Sequence, residues 1–553
     1  MNLIGNINAI PFRRFRGGGG VSPIPPFPSI PGMIARYSAL GLTNEQMATN
    51  PVWVDKTGND HDLQMKNFAW GGMSGVGGYK QDYKGNRWTY ASSRADIFYT
   101  GNFINVTSVK INSVQLYYQA YGGQPSFTVP SYSVKVSGLV EGQNLDYRSS
   151  NGLILNIKED GIYRLPEFEF SANGGFYGFQ LNKIQESCNI TIEQLPLYPG
   201  ALVFDGVDDY GVCENFPILT KEKGYTVVAL RQWISKDEGL CGLVSNVRSW
   251  FEDGTFVLEY FYRKNLHSIS FGAIKSEKDL PHILTYQTSK SYNGVSITPG
   301  SFKGTDVLHV GGLAPINVGN YANAAIWELV FLDHDATEEE LTKIKDYFVK
   351  TYPWLFPDQA WTVTGKTNED EDRATIANIT GNGNDLVCLN LGFIEGSGYN
   401  EEGEYAGYLV TDGVDDKITS STFEMGNDWT VIGDWELINT GKNDNAGIVK
   451  FNSIVIYNYN PILINIKNGR NNLIPDQNTV NAICSDGRIY SKDWKESIYN
   501  EETESTSKNL LTIGYSGGVY TKIAFKNLAI YPTVLSKDDC IKAYNYLQTL
   551  KAK

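Results

Sequence analysis

The sequence is short of the residues from which most active sites are made. Its 553 residues hold six cysteines and five histidines. Cys188, Cys213, Cys241, Cys388, Cys484 and Cys540 are scattered, with no C-x-x-C pair and no histidine at metal-ligand spacing. That pattern argues against a zinc framework and favours free, buried thiols made in a reducing cytoplasm over a disulfide scaffold. There is no H-E-x-x-H, no G-x-S-x-G elbow and no Walker loop, because Gly17 to Gly20 lack the Lys-Ser/Thr that must follow. No apolar run approaches the roughly 20 residues of a membrane span. Basic charge is also scarce: 47 Lys and Arg against 61 Asp and Glu give a net charge of −14, the opposite of a nucleic-acid footprint. Heptads are missing too, so no coiled-coil stalk is expected.

What is present points to strands and turns. Glycine numbers 56, tyrosine 34 and phenylalanine 25, a composition that leans toward β structure. The chain is too long for one hydrophobic core, and internal repeats show where it divides. Leu202-Val203-Phe204-Asp205-Gly206-Val207-Asp208-Asp209-Tyr210 returns as Leu409-Val410-Thr411-Asp412-Gly413-Val414-Asp415-Asp416. An apolar run, a Gly/Asp cluster and a second apolar stretch read as a hairpin. Thr57-Gly58-Asn59-Asp60-His61-Asp62-Leu63 with Asn67 matches Thr380-Gly381-Asn382-Gly383-Asn384-Asp385-Leu386 with Asn390, and Thr43-Asn44-Glu45 precedes the first as Thr367-Asn368-Glu369 precedes the second. Each unit closes with a strand and a capped helix: Thr337 with Glu340 forms a capping box, and Ser536 with Asp539 a weaker relative.

Spacing exposes an insertion. The interval from the Asp of the repeat to the helix cap is 132 residues in the first unit (205 to 337) and 124 in the second (412 to 536). The interval from the Thr-Gly-Asn glycine to the same Asp is 147 residues (58 to 205) against 31 (381 to 412). The extra stretch contains strands at Ser113 to Tyr118, Ser131 to Val136, Leu153 to Ile157 and Phe176 to Leu181, separated by glycine turns. The division is therefore 1–32, an arm with a Gly/Pro linker; 33–81 plus 197–355, a first sandwich; 82–196, an inserted β-domain; and 356–553, a second sandwich. Ile4, Ile7, Ile10 and Phe12, beside Arg13, Arg14 and Arg16 on an otherwise acidic chain, suit an anchor that orders against a partner.

The run from Phe-Asp-Gly-x-Asp-Asp-Tyr through Val-x-x-Val-Gly-Gly and Trp-Glu-Leu-Val-Phe-Leu to a capped helix resembles laminin-G-like, concanavalin A-like jelly rolls over about 196 to 355 and 400 to 550. The fold class implied is mostly β: tandem laminin-G-like sandwiches, the first interrupted by a smaller β-sandwich. The order of the repeats, Gly71 to Tyr79 and the arm resemble structural proteins of crAss-like and other Bacteroides phages. That resemblance implies a non-enzymatic virion protein, such as a head fibre or other surface appendage, made in the host cytoplasm without a signal peptide. Asn2, Asn6 and Asn8 interrupt any signal-like apolar run at the start. It also implies other virion proteins as partners of the arm, a homo-oligomer with a trimer as the guess, and adhesion to host or mucus glycans. The alternative is a bacterial glycan-binding or glycan-cleaving protein that shares the sandwich.

Two residue sets are candidate contacts. Asp205, Asp208 and Asp209, with Asp412, Asp415 and Asp416, offer hard oxygens of the kind Ca²⁺ takes, although Asp also serves turns by bonding backbone N–H groups. Trp233, Trp250 and Tyr260 in the first unit, and Trp435 and Tyr457 in the second, are candidates for stacking on sugars, although aromatics in strands more often fill the core. Trp429 reads as core. The acidic run Glu369 to Asp372 reads as a solvated loop rather than a glycosidase pair. No membrane insertion is expected.

Overall fold

Both Asp-Gly-Val-Asp-Asp stretches are turns, yet in the computed structural model neither closes a hairpin. Leu202–Asp205 pairs with Asn323–Leu332 and Gly75–Val76, whereas Tyr210–Glu214 pairs with Val307–Val310 and Leu63–Lys66 in a different sheet. Tyr408–Val410 and Lys417–Ser420 part in the same way. The motif is an arch that carries the chain from one sheet of a sandwich to the other. This corrects the hairpin reading, because apolar, turn, apolar is the local pattern of both connections.

The structure describes residues 24–552 apart from 86, 91–94, 110–112, 121–125, 171–174, 185, 221, 236–239, 247–256, 263–264, 268–282, 297–304, 314–320, 439–446, 452–453, 458–461, 467–469, 475–479, 499–509 and 517–518. Within these bounds the protein is mostly β, built from antiparallel sheets. The first sandwich has an inner sheet ordered Val295–Ser296, Ser291–Tyr292, Leu284–Thr288, Thr226–Trp233, Asn323–Leu332, Leu202–Asp205, Gly75–Val76, with Met33–Ser38 also on Asn323–Leu332. The second sandwich repeats that order as Glu496–Ile498, Arg488–Ser491, Val480–Cys484, Thr430–Leu437, Ile523–Tyr531, Tyr408–Val410, Gly398–Asn400, with Gln359–Thr362 on Ile523–Tyr531. Even an irregularity is shared. Between the central pair, the register slips at Leu230/Arg231 in one unit and at Asp434/Trp435 in the other, leaving Trp327 and Lys526 as the extra residues of equivalent bulges.

The central strands are buried on both faces, so they read as continuous apolar runs rather than alternating ones. Val227, Ala229, Leu329 and Phe331 face the core inside the first sandwich. Trp429, Val431, Leu528 and Ile530 face that of the second. The alternate residues Val228, Leu230, Trp327 and Val330, together with Ile432, Ala529 and Tyr531, enter a third core shared by both sandwiches. The helices Glu338–Thr351 and Lys537–Leu547 lie in that core through Ile344 and Phe348, and through Tyr544 and Leu547. Thr337 and Glu340 complete the capping box, while at Ser536 the side chain accepts from Asp539 N. A short helix, Asn44–Thr49, carries a further capping box from Thr43 and Gln46.

The insert packs two five-stranded sheets around a core drawn from Tyr83 to Ile192. Its strands include Ser113–Gln119, Tyr132–Ser137, Gly152–Ile157 and Phe176–Asn182, close to the expected four. The neck is a reciprocal amide pair: Gln81 N–H donates to Gln194 Oε1 at 3.0 Å, and Gln194 Nε2 donates to Gln81 O at 2.9 Å.

Candidate functional site

The residues that recur in both units act first on the backbone. Asp209, buried, accepts from Asp205 N–H at 3.0 Å and from the Ser74 hydroxyl at 2.9 Å. Asp416 accepts from Asp412 N–H at 2.8 Å and from the Ser397 hydroxyl at 2.7 Å. Asp205 and Asp412 each accept an N–H two residues on, from Val207 and Val414, at 2.7 Å. Asn67 and Asn390, both left-handed at φ 66° and 68°, donate to the carbonyls of Asp208 and Asp415. Asn44 and Asn368 clamp the strand after the glycine turn by accepting from Val76 N–H and Tyr399 N–H at 2.7 Å. Gly75 and Gly398 are the residues that let those amides approach, since a Cβ on either would strike the asparagine side chain. Asn59 and Asn382 donate to the carbonyls of Ile34 and Asp358, tethering the Thr-Gly-Asn loops.

In each arch, oxygens of the three acids fall within 4.8 Å of one another. Burial, and then the neighbouring Asp205, push the Asp209 carboxyl up to about 7. Asp416 is raised too, again chiefly by burial. Ca²⁺ takes six to eight oxygens, whereas the buried carboxylate of each cluster already receives a backbone N–H and a serine hydroxyl. The buried carboxylate of each cluster is held as a staple of its turn, and three acids alone fall short of the six to eight oxygens Ca²⁺ takes.

Beside each arch stands a pair of aromatic rings. Tyr210 and Tyr321 lie 6.3 Å apart, tilted by 32°, with the exposed Asp208 close by. In the second unit Tyr515 and Tyr520 lie 4.8 Å apart, with the Lys417 ammonium 5.1 Å from the Tyr515 ring. Tyr321 and Tyr520 are equivalent: each precedes a residue whose N–H bonds Gly311 or Gly514 at 2.9 Å. All four tyrosines are half-buried. Sequence reasoning missed them, because nothing local distinguishes them from the other tyrosines.

The aromatics proposed from sequence fare differently. Trp435 is 3 % exposed within the second core, which removes it from any sugar-stacking surface. Trp233 is held by structure: its Nε1 donates to Glu259 at 2.9 Å. Glu259 is fully buried and also takes Arg231, through a doubled contact, and Tyr292 at 2.6 Å. Burial opposes its charge, but Arg231 and these donors hold the Glu259 carboxyl below the usual range. Tyr260 is half-buried on the strand Val257–Tyr262. Trp250 lies outside the described residues, and of Tyr457 only the backbone, in Ile454–Tyr457, is described. The anchor residues Ile4, Ile7, Ile10, Phe12, Arg13, Arg14 and Arg16 also lie outside them. Trp429 is core, as expected. In the acidic run, Asp370 accepts from Thr367 N–H and Asp372 pairs with Lys366 at 2.9 Å, while Glu369, Glu371 and Asp372 are exposed.

One cluster joins the insert to the second sandwich. Arg164 of the insert donates to Asp434, to the Ser131 hydroxyl at 2.9 Å and to the Tyr544 hydroxyl at 3.2 Å. Tyr408 donates to Asp434 at 3.0 Å, and the Lys526 ammonium lies 5.3 Å from the Tyr408 ring centroid. Burial works against the Asp434 charge, but Arg164 outweighs it and keeps the carboxyl below its ordinary value. No local pattern announces a contact across this sequence distance.

No protein-family model matches the chain, and no curated protein matches it. Among solved structures it is similar to Trypanosoma rangeli sialidase in complex with sialic acid, at 8% identity, over 85% of either chain, with a TM-score of 0.26. It is also similar to the botulinum neurotoxin type G receptor binding domain, at 12% identity, over 34% of this chain and 50% of that one, with a TM-score of 0.22. The binding domain of botulinum neurotoxin serotype D matches at 9% identity over 62% of this chain and 89% of that one, with a TM-score of 0.22. At such TM-scores none of these likenesses carries an argument about the chain.

Proposed function

We propose that this chain is a non-enzymatic virion structural protein of a bacteriophage, a surface fibre or appendage that displays lectin-like sandwiches for adhesion to host or mucus glycans. The observation that best supports the adhesive part is the recurrence, beside both arches, of paired half-buried tyrosines, with Asp208 close to the first pair and Lys417 against the second. Rings of this kind offer flat apolar faces to the C–H side of a sugar, and carboxylates accept its hydroxyls. The acids and amides kept in both units are otherwise engaged in stapling backbone, which is what duplication of a scaffold preserves. The virion part rests on the sequence: the anchor of residues 1–32 and the order of the repeats. In that reading the arm binds other virion proteins, and the chain assembles as a homo-oligomer, with a trimer as the first guess.

Two experiments test it. A glycan array on the purified chain is expected to give saturable binding that Tyr321→Ala and Tyr520→Ala together reduce at least tenfold, with no hydrolysis of the bound glycans. Mass spectrometry of purified phage particles is expected to find the chain, and a form lacking residues 1–32 is expected to be missing from them. A blank array removes adhesion, hydrolysis removes the non-enzymatic assignment, and incorporation without the arm removes the anchor.

A further inference from the structure

The two sheets of the insert stand in different surroundings. In the sheet ordered Gly161–Leu165, Tyr132–Ser137, Ser187–Gln194, Phe103–Val109, Ala95–Tyr99, the outward residues of the first strand meet the rest of the protein: Arg164 bonds Asp434, and Ile162 packs on the shared core. Two sheets packed face to face present opposite outer faces. The other sheet, ordered Gly152–Ile157, Asn144–Ser149, Phe176–Asn182, Ser113–Gln119, Trp88–Tyr90, therefore turns its outer face away from that contact.

Strand alternation sorts the residues of this sheet. Leu145, Tyr147, Phe179, Leu181, Val114 and Leu116 enter the core of the insert. The alternate positions are polar and lie in register: Asn156, Asp146, Gln180 and Gln115 form one row, and Asn144, Asn182 and Ser113 the next. Their side chains bond one another. Asp146 accepts from Asn144 and from Asn182 at 2.8 Å, and from Asn156. Gln180 Nε2 donates to Asn182 Oδ1 at 2.8 Å, while Gln180 Oε1 accepts from Arg148 at 3.0 Å and from the Tyr117 hydroxyl at 2.8 Å. Tyr117 faces Gly178 in register, so its ring can cross the gap left there to reach Gln180 on one side and to stack on Phe176, at 4.3 Å, on the other.

A face that only meets water gains little from such order, because fixing side chains costs rotamer freedom and water offers equivalent bonds. Here Asn144, Asp146, Arg148, Asn156, Gln180 and Asn182 are half-buried and hold one another in place. Asn144 and Asn156, each having given one N–H to Asp146, keep a second N–H and a carbonyl oxygen. Donors and acceptors set side by side before a ligand arrives match the neighbouring hydroxyls of a sugar, each of which donates and accepts. Leu153, 60 % exposed beside Arg148, and the half-buried Phe176 offer apolar surface to the C–H side of such a ring. The charges of Asp146 and Arg148 cancel within the network, which suits a neutral ligand. The polar rows run over adjacent strands for a width of about 14 Å, more than one sugar ring covers.

We propose that this outer face of the insert is a glycan-binding site of its own, taking a neutral oligosaccharide chain through Asn144, Asn156 and Gln180. It shares the class of ligand with the adhesion reading and does not rest on the tyrosines beside the arches.

A glycan array probed with the full chain, with Gln180→Ala, with Asn156→Ala and with the Tyr321→Ala, Tyr520→Ala double variant tests the proposal. Neutral chains are expected whose binding falls at least tenfold in Gln180→Ala and in Asn156→Ala and is unchanged in the tyrosine variant, and free glucose at millimolar concentration is expected not to compete. Asn156→Ala, on an edge strand, keeps the test usable if Gln180→Ala unfolds the insert. Binding confined to acidic glycans, or displacement of the bound chain by glucose, overturns the proposal. Indifference of every bound glycan to both insert variants also overturns it, while the adhesion reading stands. Loss in the insert variants beside a tyrosine variant that matches wild type on every glycan has the reverse meaning, and a blank array removes both.

Discussion

Arg164 on the insert and Asp434 in the second sandwich, 270 residues apart in sequence, are hydrogen-bonded partners in a largely buried ion pair. Their contact makes the insert a brace across both sandwiches rather than a pendant on the first. Lys495 and Glu159 add a more exposed contact along the same seam, at 2.6 Å.

Removing one partner of the pair leaves the other charged and buried. Asp434→Ala is expected to destabilise by about 3 kcal/mol or more, as one-sided deletions of buried pairs do. The double variant Arg164→Met with Asp434→Leu, which copies Leu230 of the first unit, is expected to recover most of that loss. Chemical denaturation of wild type, Arg164→Met, Asp434→Leu and the double variant, with Asp434→Ala beside them, measures both. Additive losses in the double variant would show that the two groups do not act as a pair.

The Asp209 carboxyl, raised to about 7 from an ordinary 3.8, makes stability depend on pH. The folded state holds the proton more tightly than the unfolded one. Stability is therefore full below about pH 4 in this contribution and is lost as pH rises through about 7, by roughly 2–4 kcal/mol. Asp209→Asn keeps an acceptor for Asp205 N–H and carries no charge. Its denaturation midpoint is expected to match wild type only below about pH 4, to exceed it increasingly as pH rises toward about 7, and to remain unchanged by millimolar calcium.

The shared core predicts that the second sandwich is not self-sufficient. Expressed alone, residues 356–553 uncover Ile432, Ala529 and Tyr531, and Tyr531 loses its hydrogen bond to Trp354 O at 3.0 Å. The fragment is expected to bind a hydrophobic dye and to self-associate, which dye fluorescence and sedimentation would detect. Within the whole chain, Trp327→Ala is expected to cost about 3–5 kcal/mol, the range for a fully buried aromatic.

Helix capping gives a smaller test of the same core. Thr337→Ala removes the acceptor for Glu340 N–H while leaving the Thr337 N–H bonded to the Glu340 carboxylate, and is expected to cost about 1 kcal/mol. Ser536→Ala removes the matching acceptor for Asp539 N–H and is expected to cost about as much, measured on one denaturation scale.

Much of this fold was legible because the chain states it twice. Similar spacing from Asp205 to Thr337 and from Asp412 to Ser536 marks two related units, and the unequal interval before them marks the insert. The caps at Thr337 and Ser536 are local and were readable, whereas the Thr43 box lay in plain view and was passed over. The arch was misread because a turn does not reveal whether its second strand rejoins the first or crosses to another sheet. Trp435 was offered to solvent for a related reason: period-two alternation fails in strands buried on both faces. Arg164, Asp434 and Lys526 carry no local signal, since only folding brings them together.

A bulge adds one side chain without disturbing the pairing on either flank. Duplication therefore left the protein with two matching sockets at the middle of its most protected strands. One holds a fully buried tryptophan beside Leu230 and the other a half-buried lysine beside Asp434, so the same backbone irregularity carries an apolar contact in one unit and a charged one in the other.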